Sequence, residues 1–194
     1  MNKLQILVKA IYAGFMIGIG GTVYLSVENK VIGSLLFSFG LLTIVVQGFW
    51  LYTGKIGFVK KIGELTDMAV VAAGNYLGTF IAAGMVKLAH LKISSEALAA
   101  AKLENAAGNI FVLSLFCGVM MYLAIDNYQK TKNIVFIIVP VMIFILSGFE
   151  HSIADMFYFH LAGVYTMKSA GYLLLMLVGN GIGAKLFSLK DKMD

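Results

Sequence analysis

Apolar residues run along this chain in blocks much longer than the alternation of a strand or the stripe of an amphipathic helix. Six blocks stand out, at about 4–27, 31–51, 68–88, 105–125, 133–148 and 170–187. A helix needs about 20 apolar residues to cross a bilayer, so the pattern predicts an all-α membrane protein of six transmembrane helices with short polar connections. The longest connection runs from His90 to Glu104, where Ser94 and Ser95 offer an N-cap to a short helix over 96–101.

Two blocks are interrupted. The second ends in Gly48-Phe49 and reads as broken at Tyr52-Thr53-Gly54-Lys55, with apolar residues on both sides; the fifth reaches Gly148-Phe149 and then meets Glu150, His151 and Asp155 before Met156-Phe157 resumes the apolar run. The third block carries Gly74-Asn75-x-x-Gly78 and the sixth carries Gly179-Asn180-x-x-Gly183. The same signals therefore recur in the same order, a first repeat over about 1–90 and a second over about 103–194, within a single transmembrane domain spanning 1–194. Three spans per half is an odd number, so the second half enters the membrane inverted. Inverted repeats with interrupted helices place their site near the midplane, where the breaks meet.

Composition agrees with this reading. Of 194 residues 60% are hydrophobic and only 13% charged, with a mean hydropathy of +0.88, against about 25% charged residues in soluble domains. All fifteen basic residues are lysine and the net charge is +5, an excess that needs no nucleic-acid partner because lysine at membrane ends sets topology. Alternate connections hold ten lysines against five. The ten are Lys3, Lys9, Lys55, Lys60, Lys61, Lys130, Lys132, Lys185, Lys190 and Lys192, which puts both termini in the cytoplasm. One cysteine, Cys117, excludes a disulfide framework within the chain.

Ionisable groups at membrane depth are costly, on the order of 2.5–3.5 kcal/mol each on insertion scales, and face a cavity or one another. Glu150, His151 and Asp155 thus predict a polar pathway, and irregular backbone around Thr53 and His151 predicts its lining. Helix N-termini beyond each break favour an anion over a cation.

At this point the residues resemble the formate/nitrite transporter family of microbial anion channels. The likeness covers nearly the whole chain and is strongest at Gly148-Phe149-Glu150-His151-Ser152-Ile153-Ala154-Asp155-Met156-Phe157, close to the family's G-F-E-H-x-x-A-N-M-F. Phe37-Ser38-x-Gly40-Leu41, Gly48-x-x-Leu51-x-Thr53, Lys102 and Cys117-Gly118-x-x-x-x-Leu123-Ala124 add to it. The resemblance implies an aquaporin-like protomer with broken helices 2 and 5 and one pore, assembled as a homopentamer in a prokaryotic cytoplasmic membrane. It carries formate, nitrite, hydrosulfide or a short carboxylate, with no cofactor and no enzymatic activity. It makes His151 the central pore histidine and sets Thr53 opposite. Lys102 becomes a charged partner on the vestibule side and Glu150 one behind the ring. Phe37 and Phe144 form the outer constriction, Leu41 and Leu51 the inner one, and Met121 falls on the valine between them. Two positions depart from the pattern: the family's asparagines are Gly118 and Asp155 here, the first losing a donor for an anion and the second adding a carboxylate that would repel one. Compared with longer members, no amphipathic segment precedes the first span, so gating by an N-terminal helix is not expected.

A bare anion loses hydration at a cost of tens of kcal/mol in an apolar constriction, so the charge is neutralised instead. The expected mechanism has Lys102 and backbone dipoles concentrate the anion. It then takes a proton at the centre from His151 or from water that His151 orders, with Glu150 biasing that step. Two other readings compete. His151 and Asp155, four residues apart, could ligate a metal in an intramembrane enzyme with His160 or Glu104, although H-E-x-x-H is absent. A neutral-solute channel for water or glycerol lacks an N-P-A signature, since the sole proline, Pro140, follows Val139.

Overall fold

A computed structural model describes residues 1–189, so Lys190 and Lys192 lie outside the described residues. Those residues form helices and no strand. Four helices are long and apolar enough to cross a membrane: α1 (Lys3–Ser26), the segment Ile62–Leu88 that contains α4 (Leu65–Leu88), α6 (Ala107–Thr131) and α9 (Met167–Ser188). Two apolar helices, α2 (Lys30–Val46) and α7 (Val135–Leu146), are too short to cross alone. Each is followed by a non-helical step and a further helix, α3 (Tyr52–Lys55) or α8 (Ser152–Ala162). The connection helix is α5 (Glu96–Glu104).

Local chemistry fixes several ends. Asn2 caps α1 in a reciprocal pair with Gln5, Asn29 caps α2 by accepting from Val31 and Ile32, and Thr166 and Ser169 form the equivalent pair at α9. Ser95 precedes α5 without capping it by its side chain; its hydroxyl instead donates to the carbonyl of Tyr158 at 2.7 Å.

The halves pack alike: α1 lies along α4 and against α2, α6 lies along α9 and against α7, and α2 meets α7 between them. The long pairs approach closely because glycines face backbone. A Cβ on Gly78 would run into Ile11 and Phe15 of α1, and one on Gly183 would run into Leu115 of α6. Large apolar side chains stay exposed on the outer faces, among them Leu35, Phe39, Phe80, Ile81, Val139 and Leu174, as suits a lipid surroundings.

One end gathers the N-terminus, the segment after α3 and the end of α9: Lys3 bonds Asp67, and the Lys185 ammonium donates to the Val59 carbonyl at 2.5 Å. At the other end Lys87 donates to the His160 carbonyl and the Tyr172 hydroxyl to that of Asn105. The first interruption differs from expectation. Tyr52–Lys55 is helical, and the irregular step comes earlier, at 47–51.

Candidate functional site

The two breaks are built by the same parts. Each preceding helix ends on a glycine with positive φ, Gly48 at 65° and Gly148 at 68°, where glycine alone is unstrained. The next residue folds back, Phe49 N–H to the Ile44 carbonyl and Phe149 N–H to that of Phe144, both at 2.9 Å. Its ring then stacks across the half, Phe49 on Tyr12 and Phe149 on Phe116, with centroids 5.3 and 5.2 Å apart.

A buried asparagine then satisfies the exposed backbone. Asn75 accepts from Tyr52 N–H at 2.9 Å and donates to the carbonyls of Ala10 (2.8 Å) and Trp50 (2.9 Å). Asn180 accepts from Ser152 N–H at 2.9 Å and donates to the carbonyls of Ser114 (2.9 Å) and Glu150 (2.8 Å). The primary amide suits this because it offers an acceptor and two donors at once. The sequence flags both residues as a repeat but assigns them no task; the structure makes them the pins of the two breaks.

The pinned segments bring Thr53 and His151 together. Thr53 Oγ1 lies 2.9 Å from His151 Nε2, both buried. His151 also caps α8, its Nδ1 accepting the Ala154 amide at 3.0 Å. An acceptor nitrogen carries no proton, so the neutral ring holds its hydrogen on Nε2 and donates to Thr53. The imidazole stacks on Phe144 at 5.2 Å and 18°, and Phe144 meets Phe37 edge-on at 6.1 Å and 88°.

Cavities open towards both ends. At the Lys55 end, one of about 300 Å³ is lined by Leu41, Ile44, Leu51, Lys55, Ile125 and Gln129. At the Lys102 end, one of about 70 Å³ is lined by Tyr24, Lys102, Phe144, His151, Asp155 and Tyr158. Leu51 and His151, equivalent positions of the two breaks, thus each face one cavity.

Lys102 reaches from α5 to both buried carboxyl groups, bonding Glu150 Oε2 and lying 2.9 Å from Asp155 Oδ1. Burial works against its ammonium, but Asp155 and Glu150 outweigh that and hold its pKa above an ordinary lysine's.

The remaining predicted residues take definite places around these contacts. Glu150 pairs with Lys102 and not with the imidazole, whose two nitrogens are engaged by Thr53 and Ala154. Asp155 likewise turns to Lys102. Gly118 lines neither of these two cavities: its α-carbon faces α9, and a side chain there would strike Asn180 and Ala184. Met121 is buried in the core and lines neither cavity. Leu41 and Leu51 line the larger cavity, Phe144 lines the smaller, and Phe37 touches Phe144 from behind. For the metal reading, His160 is turned towards Tyr165, Tyr76 and Phe80, and among the described residues no group of three His, Cys, Asp or Glu could hold an ion.

Comparison with known proteins agrees with this architecture. The family model described as "Formate/nitrite transporter" matches residues 1–189. Formate channel FocB of Escherichia coli is 26% identical over 80% of this chain and 66% of its own. Formate channel FocA of Haemophilus influenzae is 30% identical over 66% of this chain and 52% of its own. The chain therefore spans about two thirds and one half of the lengths of these relatives. A solved pentameric formate channel with formate bound superposes with a TM-score of 0.84 at 24% identity, covering 95% of this chain and 94% of that one.

Proposed function

The chain belongs to the formate/nitrite transporter family, and on that premise we propose that it passes small monovalent anions of weak acids, such as formate, nitrite, hydrosulfide or a short carboxylate, across a membrane. It works as six crossings in a 3+3 inverted repeat, the second and fifth broken, with both termini in the cytoplasm and five copies assembled in a prokaryotic inner membrane. The matched contacts of Asn75 and Asn180 support the repeat, since two halves of three crossings each must run in opposite directions to build the same break twice.

The observation that carries the reading is the contact of Thr53 with His151, which joins the two breaks between the cavities. An anion entering from the Lys102 end meets an ammonium first. It then meets the N-terminus of α8, whose partial positive charge points at the break. His151 offers Nε2–H, and the Thr53 hydroxyl, accepting from His151, keeps its own proton for the solute. Beyond lie Phe37 and Phe144 on one side and Leu41 and Leu51 on the other. A charged solute loses its water there at a cost it avoids by accepting a proton, so it crosses as the neutral acid.

The test is uptake into proteoliposomes of formate, nitrite, hydrosulfide, acetate and lactate at two pH values. Saturable uptake of one or more of these, faster at the lower pH, supports the proposal. Uptake indistinguishable from protein-free vesicles for all five overturns it.

A further inference from the structure

The cluster at the Lys102 end is unbalanced. Among the described residues Lys102 is the single cation there, yet both Glu150 and Asp155 bond it, and these two residues are 3% and 1% exposed. Two ionised carboxylates would leave a surplus negative charge on side chains almost wholly withdrawn from solvent, which is unfavourable. Asp155 presents a further anomaly: Oδ2 is buried without a hydrogen-bond partner, in a side chain that lines the cavity beside His151. A carboxylate there leaves its lone pairs unmet. Glu150 and Asp155 meet at the same Lys102 ammonium, so a proton on the pair turns two acceptors into a donor and an acceptor and balances the lysine charge.

We propose that Glu150 and Asp155 share one exchangeable proton, and that this proton passes to the anion in the Lys102 cavity. The inference rests on the weak-acid reading above and names its proton source. His151 does not fill that role in the observed geometry, because its Nδ1 is occupied by the Ala154 amide and its Nε2–H is a hydrogen-bond donor of a neutral ring. In the transfer the O–H bond of the carboxyl pair breaks and an O–H bond (an S–H bond for hydrosulfide) forms on the anion. The neutral acid moves on, and two carboxylates remain on Lys102. Their surplus charge repels a second anion until a proton from the adjoining water restores the pair, which sets one proton per anion. Among the described residues, the other titratable groups near the cluster are Tyr24 from α1, Cys117 from α6, and His151 and Tyr158 from the second break and α8. Tyr24, Cys117 and Tyr158 carry no charge at neutral pH, so Lys102 alone offsets the carboxyls.

Infrared spectroscopy of the reconstituted wild-type protein without any anion tests this directly. The carbonyl stretch of a protonated carboxylic acid, shifted by deuterium exchange, is expected near neutral pH and is lost in Asp155→Asn and in Glu150→Gln; Asp155→Glu retains it. In vesicles, a trapped pH dye should report one proton entering per formate for the wild type, and Asp155→Asn should flatten the pH profile of uptake. Absence of the band in the wild type overturns the proposal even if the variants fail to fold, as does a band undiminished in both variants. Because the band is read without anion, its absence leaves the transport reading standing, and failure of transport leaves the band to be judged by itself.

Discussion

Replacing Asn180 by alanine removes three hydrogen bonds from the second break at one stroke. The Ser152 amide loses its acceptor, and the Glu150 and Ser114 carbonyls lose a donor. All three bonds are buried, and a buried polar group left without a partner costs about 1–3 kcal/mol. The Ser114 carbonyl lies within α6, which leaves the Ser152 amide and the Glu150 carbonyl as the principal losses. Their sum is about 2–6 kcal/mol by the same scale. For a chain of this size 1 kcal/mol shifts Tm by about 2–4 °C, so the lower bound already predicts a fall of about 4–8 °C. The Ser152 amide should lose protection from hydrogen exchange, and formate flux should fall because His151 lies between the two groups released. Asn75→Ala should lower Tm similarly, and should expose the Tyr52 amide, since it strips the matching three contacts from the first break. The assay is thermal unfolding of the purified protein in one detergent, with exchange read by mass spectrometry. A Tm within 1 °C of wild type, with Ser152 protected as before, would refute the pinning argument; both figures follow from the per-bond estimate.

Three further outcomes are expected. Gly118→Ala should destabilise the fold by about 1–3 kcal/mol through overpacking against α9, seen as loss of folded protein in size-exclusion chromatography; unchanged yield and Tm would refute the close packing of Gly118 against α9. Lys102→Met should strand two buried carboxyls, costing about 3–5 kcal/mol and cutting formate uptake at least about tenfold, the equivalent of 1.4 kcal/mol, whereas a lysine that merely reached towards headgroups would leave uptake intact. Phe144→Ala removes the ring between Phe37 and His151, so the ratio of lactate to formate uptake in proteoliposomes should rise; an unchanged ratio counts against Phe144 as a constriction.

Much of the architecture was legible because membrane helices leave coarse signals. The long apolar runs, Gly48-Phe49 and Gly148-Phe149 mark where helices start and stop, and His151 beside Glu150 marks the polar centre. The position of the first break was not legible. Tyr52–Lys55 looks polar among apolar neighbours, yet it is helical, while the irregular step holds Phe49, Trp50 and Leu51. What permits bare backbone at such residues is Asn75, supplied from α4, together with the Lys9 carbonyl of α1, which accepts from Trp50 N–H. Partners so distant in sequence leave no local signature. The surroundings of Gly118 were hidden for a similar reason: a motif position says nothing about the side of the helix it occupies, and that side meets the backbone of α9.

The most direct test of the whole account is formate uptake by His151→Asn in proteoliposomes, matched with wild type for folded oligomer and measured across neutral pH. Asparagine keeps a polar side chain at the break but cannot both cap α8 and place an N–H where Nε2 stands. Uptake should fall by at least about tenfold, corresponding to 1.4 kcal/mol of lost stabilisation. Uptake equal to wild type at every pH would contradict a permeation path that runs past His151 and Thr53.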